Sequence, residues 1–245
     1  MNLKFTPATW LFPLLFVGVL WLVFGIEEFL NTTFVAFSLN PRTFTGLAGV
    51  VCAPFLHADI EHLANNSVAL LALLTALMYF YRRLALKVVV IGILLSGIIT
   101  WVIGRPSYHL GASSLIYVVA SFLIFKGLQV QHYRLVALSF LVIFFYGSSI
   151  WYMFPTADAG ISWEGHLSGF IAGLFLTKKY ADYNPIIEPQ YEWQRPDYDP
   201  STDKFMQRFD ENGNFVNPPP PEPEPEASPE FQIIYDFKPK KEESN

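Results

Sequence analysis

The chain has 245 residues, 52% of them apolar and 15% charged, with a formal net charge of −5. Its single cysteine, Cys52, excludes an intramolecular disulfide as a support of the fold. Most acidic residues lie in the last third and the first two thirds lean basic, so the negative total does not describe a uniformly acidic domain. Long uncharged runs point instead to a polytopic membrane protein.

Six apolar segments precede residue 182, over 8–30, 62–81, 86–104, 112–128, 134–154 and 163–179. Each is long enough to cross a hydrocarbon core of about 30 Å as a helix. The first is too long for the apolar region of a signal peptide, lacks a small-x-small cleavage site and is followed by further spans. It reads as a retained span. The third follows the second after only "YRRLALK", and the fourth and sixth are the shortest and richest in small residues. Beyond residue 182 the apolar runs stop. "NPPPPEPEPEASPE" favours an extended, unfolded chain, and "FQIIYDF" suits a short strand or a docking peptide without deciding between them. The expected architecture is all-α: a bundle of six transmembrane helices over 1–182, then a largely disordered Pro/Glu-rich tail over 183–245 that offers a place for a cytoplasmic partner.

Charge orients the bundle. The second-to-third connection carries Arg82, Arg83 and Lys87, the fourth-to-fifth carries Lys126 and Arg134, and the sixth span stops at Lys178 and Lys179. The alternate loops hold only Arg42 and Arg105. The positive-inside rule puts the first set, both termini and the tail in the cytoplasm. The long loop 31–61 then faces outside, as do the starts of spans two, four and six.

Those three starts carry the unusual polar residues: "HLANN" with His62 and Asn66, "GASS" with Gly111, Ser113 and Ser114, and "EGHLSG" with Glu164, His166 and Gly169. Polar groups at membrane depth are costly and usually face a cavity or a partner. His62 and Asn66 share a helix face, as do Ser113 and Tyr117. Gly165, Gly169 and Gly173 form a GxxxGxxxG series that lets span six approach another helix closely. Against the small-residue face of span four, this brings His166 within reach of Ser113. Ser114 is turned about 100° away and is the weaker candidate.

A serine beside a histidine is a nucleophile with its base. No acid is well placed to complete a triad, because the carboxylates sit at span ends or in loops and Glu164 points nearly opposite to His166. A Ser–His dyad follows, with Tyr117 one turn below Ser113 to pack on the imidazole. The Asn66 amide, the Ser113 backbone N–H and His62 are the candidates to hold an oxyanion. The histidines make no zinc pattern, HExxH is absent, and the chemistry calls for neither metal nor cofactor.

"HxxxN" in span two, "GxSx" at the start of span four and "GHxxGxxxG" in span six together resemble the rhomboid intramembrane serine proteases, over about residues 8–180. Each motif is weak alone; their order on alternate spans is specific. The resemblance implies that Ser113 is the nucleophile, His166 the general base, His62 and Asn66 the oxyanion residues, and Tyr117 the ring packed on the base. His57 matches a histidine often found in the first loop. Two departures stand out: Ser114 occupies a position where glycine is common, and the first loop lacks the family's Trp-Arg pair, so it must be braced in another way. The expected substrates are transmembrane proteins cleaved near the outer interface, and the expected location is a bacterial plasma membrane. A catalytically silent rhomboid-like binder of membrane clients, or a small transporter using the polar cavity, remain the other classes.

Overall fold

The computed structural model describes residues 5–155, 160–186, 191–217 and 236. Among these the chain is helical, with two isolated β-bridges. The helices are α1 (Pro7–Phe29), the short α2 (Gly49–Cys52), α3 (Ile60–Phe80), α4 (Arg82–Ile103), α5 (Ser113–Val130), α6 (Tyr133–Tyr146) and α7 (Trp163–Lys179). Five stretches are long and apolar enough to cross a membrane: α1, α3, α4, α5, and α6 continued to Met153. The chain is therefore an integral, multi-pass helical bundle.

One span, the fifth, differs from the sequence expectation in form, and the sixth keeps its expected bounds. The fifth does not stay α-helical: at Gly147 it tightens into a 3-10 segment, Gly147–Met153. Glycine and two serines there are weak helix formers, which lets the backbone change its winding. The sixth, α7, has only 17 residues and reaches about 25 Å. It packs on α5 and α4, so helices rather than lipid cover much of it.

The core is built around α5, which meets α7, α6, α4 and α3, while α1 packs on α3. Leu63, Leu70, Leu74 and Leu77 of α3 follow helical spacing and bury against Leu115, Val119 and Phe122 of α5. Where α7 crosses α5, a side chain at Gly169 would strike the Ser114 carbonyl, and one at Gly173 would strike Ser121 Oγ and the Val118 carbonyl. These two glycines let the helices touch backbone to backbone. Leu15, Leu22, Val90, Ile98, Phe140 and Phe144 are exposed on the outer faces of α1, α4 and α6, as hydrocarbon requires.

The chain falls into two compact units, Met1–Glu188 and Pro189–Asn245. In the second, residues 191–217 form 3-10 turns and a bridge between Phe209 and Phe215, with Phe209 packed on both Phe205 and Phe215. The Pro/Glu run and nearly all of "FQIIYDF" lie outside the described residues.

Candidate active site

The backbone before α5 is shaped by Gly111, which has φ +106°, a conformation open to glycine and strained for other residues. A Cβ there would also lie 2.5 Å from His62 Cε1. The Gly111 N–H donates to the Ala53 carbonyl at 2.9 Å, tying this turn to the first loop. Ser113 then opens α5, where first-turn N–H groups have no partner within the helix and remain available.

His166 comes from the facing helix. Ser162 caps α7 by accepting the Gly165 N–H, and His166 follows one turn later. Its Nε2 lies 3.0 Å from Ser113 Oγ and its Nδ1 lies 2.9 Å from the Tyr152 carbonyl oxygen. A carbonyl can only accept, so a neutral ring carries its proton on Nδ1 and leaves Nε2 free to accept the Ser113 hydroxyl hydrogen. The Tyr117 ring stacks on the imidazole at 4.5 Å and 19°, and its hydroxyl donates to the Ser149 carbonyl at 2.6 Å. The 3-10 segment thus supplies two carbonyls that hold the base and the ring beneath it.

The third wall is the start of α3. Asp59 caps it by accepting the His62 N–H at 2.7 Å. Asn66, buried one turn below His62, has its Nδ2 3.1 Å from His57 Nε2. The His57 ring also meets His62 edge-on at 5.2 Å. Burial, and next the neighbouring His62, push the His57 pKa down to about 4. The ring is neutral at ordinary pH and its Nε2 can accept an Asn66 amide hydrogen, leaving the other amide hydrogen for a ligand. His62, Asn66, Ser113, Tyr117 and His166 all line one cavity of about 990 Å³. The cavity extends to Tyr146, Ser149 and Tyr152 on the α6 side. Ser114 does not line this cavity: His166 meets Ser113, and Ser114 lines, together with Ser113, a smaller space of about 30 Å³ beside Gly97 and Thr100.

Several residues around the site were given no role in it from sequence. Glu164 lies in the first turn of α7, at a span end as expected, and is almost fully buried there. It does not meet His166; its Oε1 accepts the Arg105 N–H at 3.1 Å and lies 3.9 Å from the Arg105 guanidinium. That partner makes burial tolerable. His109, two residues before Gly111, is buried against Ser162. The first loop has its brace as well, from a tryptophan outside it. Trp101 Nε1 donates to the Thr43 carbonyl at 2.9 Å, while Arg42 Nη1 donates to the Val102 and Gly104 carbonyls at 3.1 and 2.7 Å. A cation on the last carbonyls of α4 suits the negative end of that helix. The pair is split between loop and helix, so no adjacent Trp-Arg signal exists to be read.

Comparison with known proteins adds an independent line. Residues 42–182 match the family model described as Rhomboid domain. An uncharacterized protein of Mycobacterium tuberculosis is 35% identical over 170 residues, covering 66% of this chain and 70% of that protein. An uncharacterized protein of Mycobacterium leprae is 32% identical over 171 residues, covering 66% of this chain and 67% of that protein. With a match across more than half its length, spanning every helix from α2 to α7, the chain belongs to the rhomboid family.

Proposed function

We propose that the chain is an intramembrane serine endopeptidase acting through a Ser113–His166 dyad. The observation that carries this is the 3.0 Å approach of His166 Nε2 to Ser113 Oγ, with Nδ1 engaged by the Tyr152 carbonyl. Ser113 Oγ attacks the scissile carbonyl while His166 Nε2 takes its proton, then returns it to the leaving amine. Asn66 Nδ2, the Ser113 N–H and His62 hold the oxyanion. Water from the outer side hydrolyses the acyl-enzyme with His166 again as base. The step draws on no metal or cofactor.

The substrate is a transmembrane segment that comes in laterally on the α6 side and unwinds near the outer interface. A helix engages its own carbonyls in hydrogen bonds and blocks attack, so helix-breaking or small residues favour cleavage. The cation-rich loops support cytoplasmic termini, and the proposed membrane is a bacterial plasma membrane. In this proposal residues 1–182 carry the chemistry and 183–245 form a cytoplasmic tail.

The test uses purified protein with a fluorophosphonate probe and a model transmembrane substrate. Labelling and cleavage are expected to disappear in both Ser113→Ala and His166→Ala. Undiminished cleavage by Ser113→Ala would falsify the assignment. A wild-type protein that is folded, unlabelled and inactive, yet retains membrane clients, would favour the silent binder.

A further inference from the structure

Ser113 and His166 are 53 residues apart, and so are His109 and Ser162. The second pair stands four residues upstream of the first on both segments. Two side-chain bonds of equal register therefore join the strand entering α5 to the start of α7.

The upstream bond has a defined direction. His109 Nε2 lies 3.0 Å from the Arg105 carbonyl and its Nδ1 lies 2.6 Å from Ser162 Oγ. The carbonyl can only accept, so in a neutral ring Nε2 carries the hydrogen and Nδ1 accepts the Ser162 O–H. Ser162 Oγ in turn accepts the Gly165 N–H at 3.2 Å, and its carbonyl accepts the His166 N–H at 3.2 Å. The same serine thus receives the His109 bond and begins the helical turn that ends at His166. On the other side, the His109 backbone pairs both ways with Leu39, at 2.8 and 3.0 Å. Only 5% of His109 is exposed, so neither nitrogen can turn to water without leaving this place.

We propose that His109 is a positioning residue: its imidazole joins the backbone leading into Ser113 to the N-cap of the helix carrying His166, and so sets the distance between nucleophile and base. The inference rests on the dyad proposed above. Arg105 also reaches α7, through Glu164 and the Ile161 carbonyl, and holds the two segments near each other. The His109 bond differs in acting on the residue that starts the turn of His166. A loss of register here displaces two reacting groups without touching either, and a misplacement of about 1 Å costs about a hundredfold in rate.

The experiment compares wild type, His109→Ala, His109→Asn, Ser162→Ala and the His109→Ala/Ser162→Ala double variant. It reads kcat and KM on a model transmembrane substrate, the fluorophosphonate labelling rate and the unfolding midpoint in detergent. His109→Ala is expected to lower kcat and labelling by roughly ten- to a hundredfold with KM within about twofold. His109→Asn, whose amide oxygen can take the Ser162 hydrogen, recovers a large part of it. The double variant is expected to lose less than the product of the two single losses, because both single variants remove the shared His109–Ser162 bond. Should His109→Ala not fold, the same comparison between Ser162→Ala and the hydroxyl-bearing Ser162→Thr decides. The inference is overturned by His109→Ala kinetics within twofold of wild type, by additive effects in the double variant, or by a loss matched entirely by the unfolded fraction. Ser113→Ala separates the two levels. If it still cleaves, the dyad itself is wrong; if it is silent while His109→Ala is normal, only the positioning role falls.

Discussion

The Nδ1 atom of His166 faces the carbonyl oxygen of Tyr152 at 2.9 Å, in the place where a triad would put a carboxylate. A carbonyl fixes the tautomer and ring direction without adding a buried charge. Glu164, the nearest acid in sequence, is engaged with Arg105 instead. Glu164→Gln should therefore keep kcat within about threefold, since the amide retains an oxygen for the Arg105 N–H. Replacing the acid of a true triad costs about 10⁴-fold. Steady-state cleavage with an unfolding midpoint as control distinguishes the two, and a thousandfold loss in folded protein would show that Glu164 assists the base.

Tyr117 does two jobs that one substitution can separate. Tyr117→Phe keeps the ring on His166 but removes the 2.6 Å bond to the Ser149 carbonyl. One neutral hydrogen bond contributes about 0.5–1.5 kcal/mol, so a two- to tenfold drop in kcat is expected. Tyr117→Ala, which also removes the stacked surface, should fall further. Equal losses in both variants would mean that the hydroxyl alone matters and the stack contributes nothing.

Asn66 and His57 should behave as a pair. Asn66→Ala removes a candidate oxyanion donor, for which about 2.7–4 kcal/mol of barrier is expected, or 10²–10³ in kcat. In this proposal His57 acts through the amide it engages at 3.1 Å rather than through its edge-on contact with His62 at 5.2 Å. His57→Ala should therefore cost less than Asn66→Ala and nothing further in the Asn66→Ala background. A double-variant cycle on kcat measures this, and independent, additive losses would remove His57 from any role through Asn66.

Six apolar runs and three polar helix starts were enough to place all six long helices, the α5–α7 contact and the meeting of Ser113 with His166. Spacing along a helix fixes which residues share a face, and GxxxGxxxG fixes which face can approach closely. What escaped were contacts made by backbone or across loops. The Tyr152 and Ser149 carbonyls leave no trace in residue type. Trp101 and Arg42 lie 59 positions apart, and a brace divided in this way has no local pattern. Glu164 was legible as an acid at a helix start turned away from His166, but its contact with Arg105, 59 positions earlier, was not. His109 stood in plain view two residues before Gly111, but its partner Ser162 is visible only once α7 is placed.

The depressed pKa of His57 gives a pH dependence of stability. Its ordinary value is 6.5, and burial with the nearby His62 lowers it to about 4 in the folded protein. Between those values the unfolded chain binds a proton that the folded one does not, so stability falls as pH drops from 6.5 toward 4 and is level in this respect above 6.5. Unfolding midpoints in detergent from pH 7.5 to 4.5 should decline more steeply for wild type than for His57→Asn, which has nothing to titrate. Parallel slopes would show that this loop histidine is protonated equally in both states.

At the other end of α5, Lys126 is fully buried, and its Nζ donates to Gln129 Oε1 at 3.0 Å and to the Tyr180 and Ala181 carbonyls at 2.7 and 2.8 Å. All three ammonium hydrogens are used, which is what makes a buried lysine tolerable. The two carbonyls follow directly on α7, at the negative end of its dipole, and the Tyr180 carbonyl also accepts the Tyr183 N–H at 3.1 Å. Lys126→Met has similar length but no donor, so the Ala181 carbonyl loses its lysine partner while the Tyr180 carbonyl keeps the Tyr183 N–H, at a cost of about 1–3 kcal/mol. Thirteen residues of helix separate Lys126 from Ser113, about 20 Å, which is too far for a direct effect on the dyad. The variant should therefore unfold at a lower temperature while its labelling rate per folded molecule stays at the wild-type level. A selective loss of labelling in fully folded protein would instead mean that the lower end of α7 controls where His166 sits.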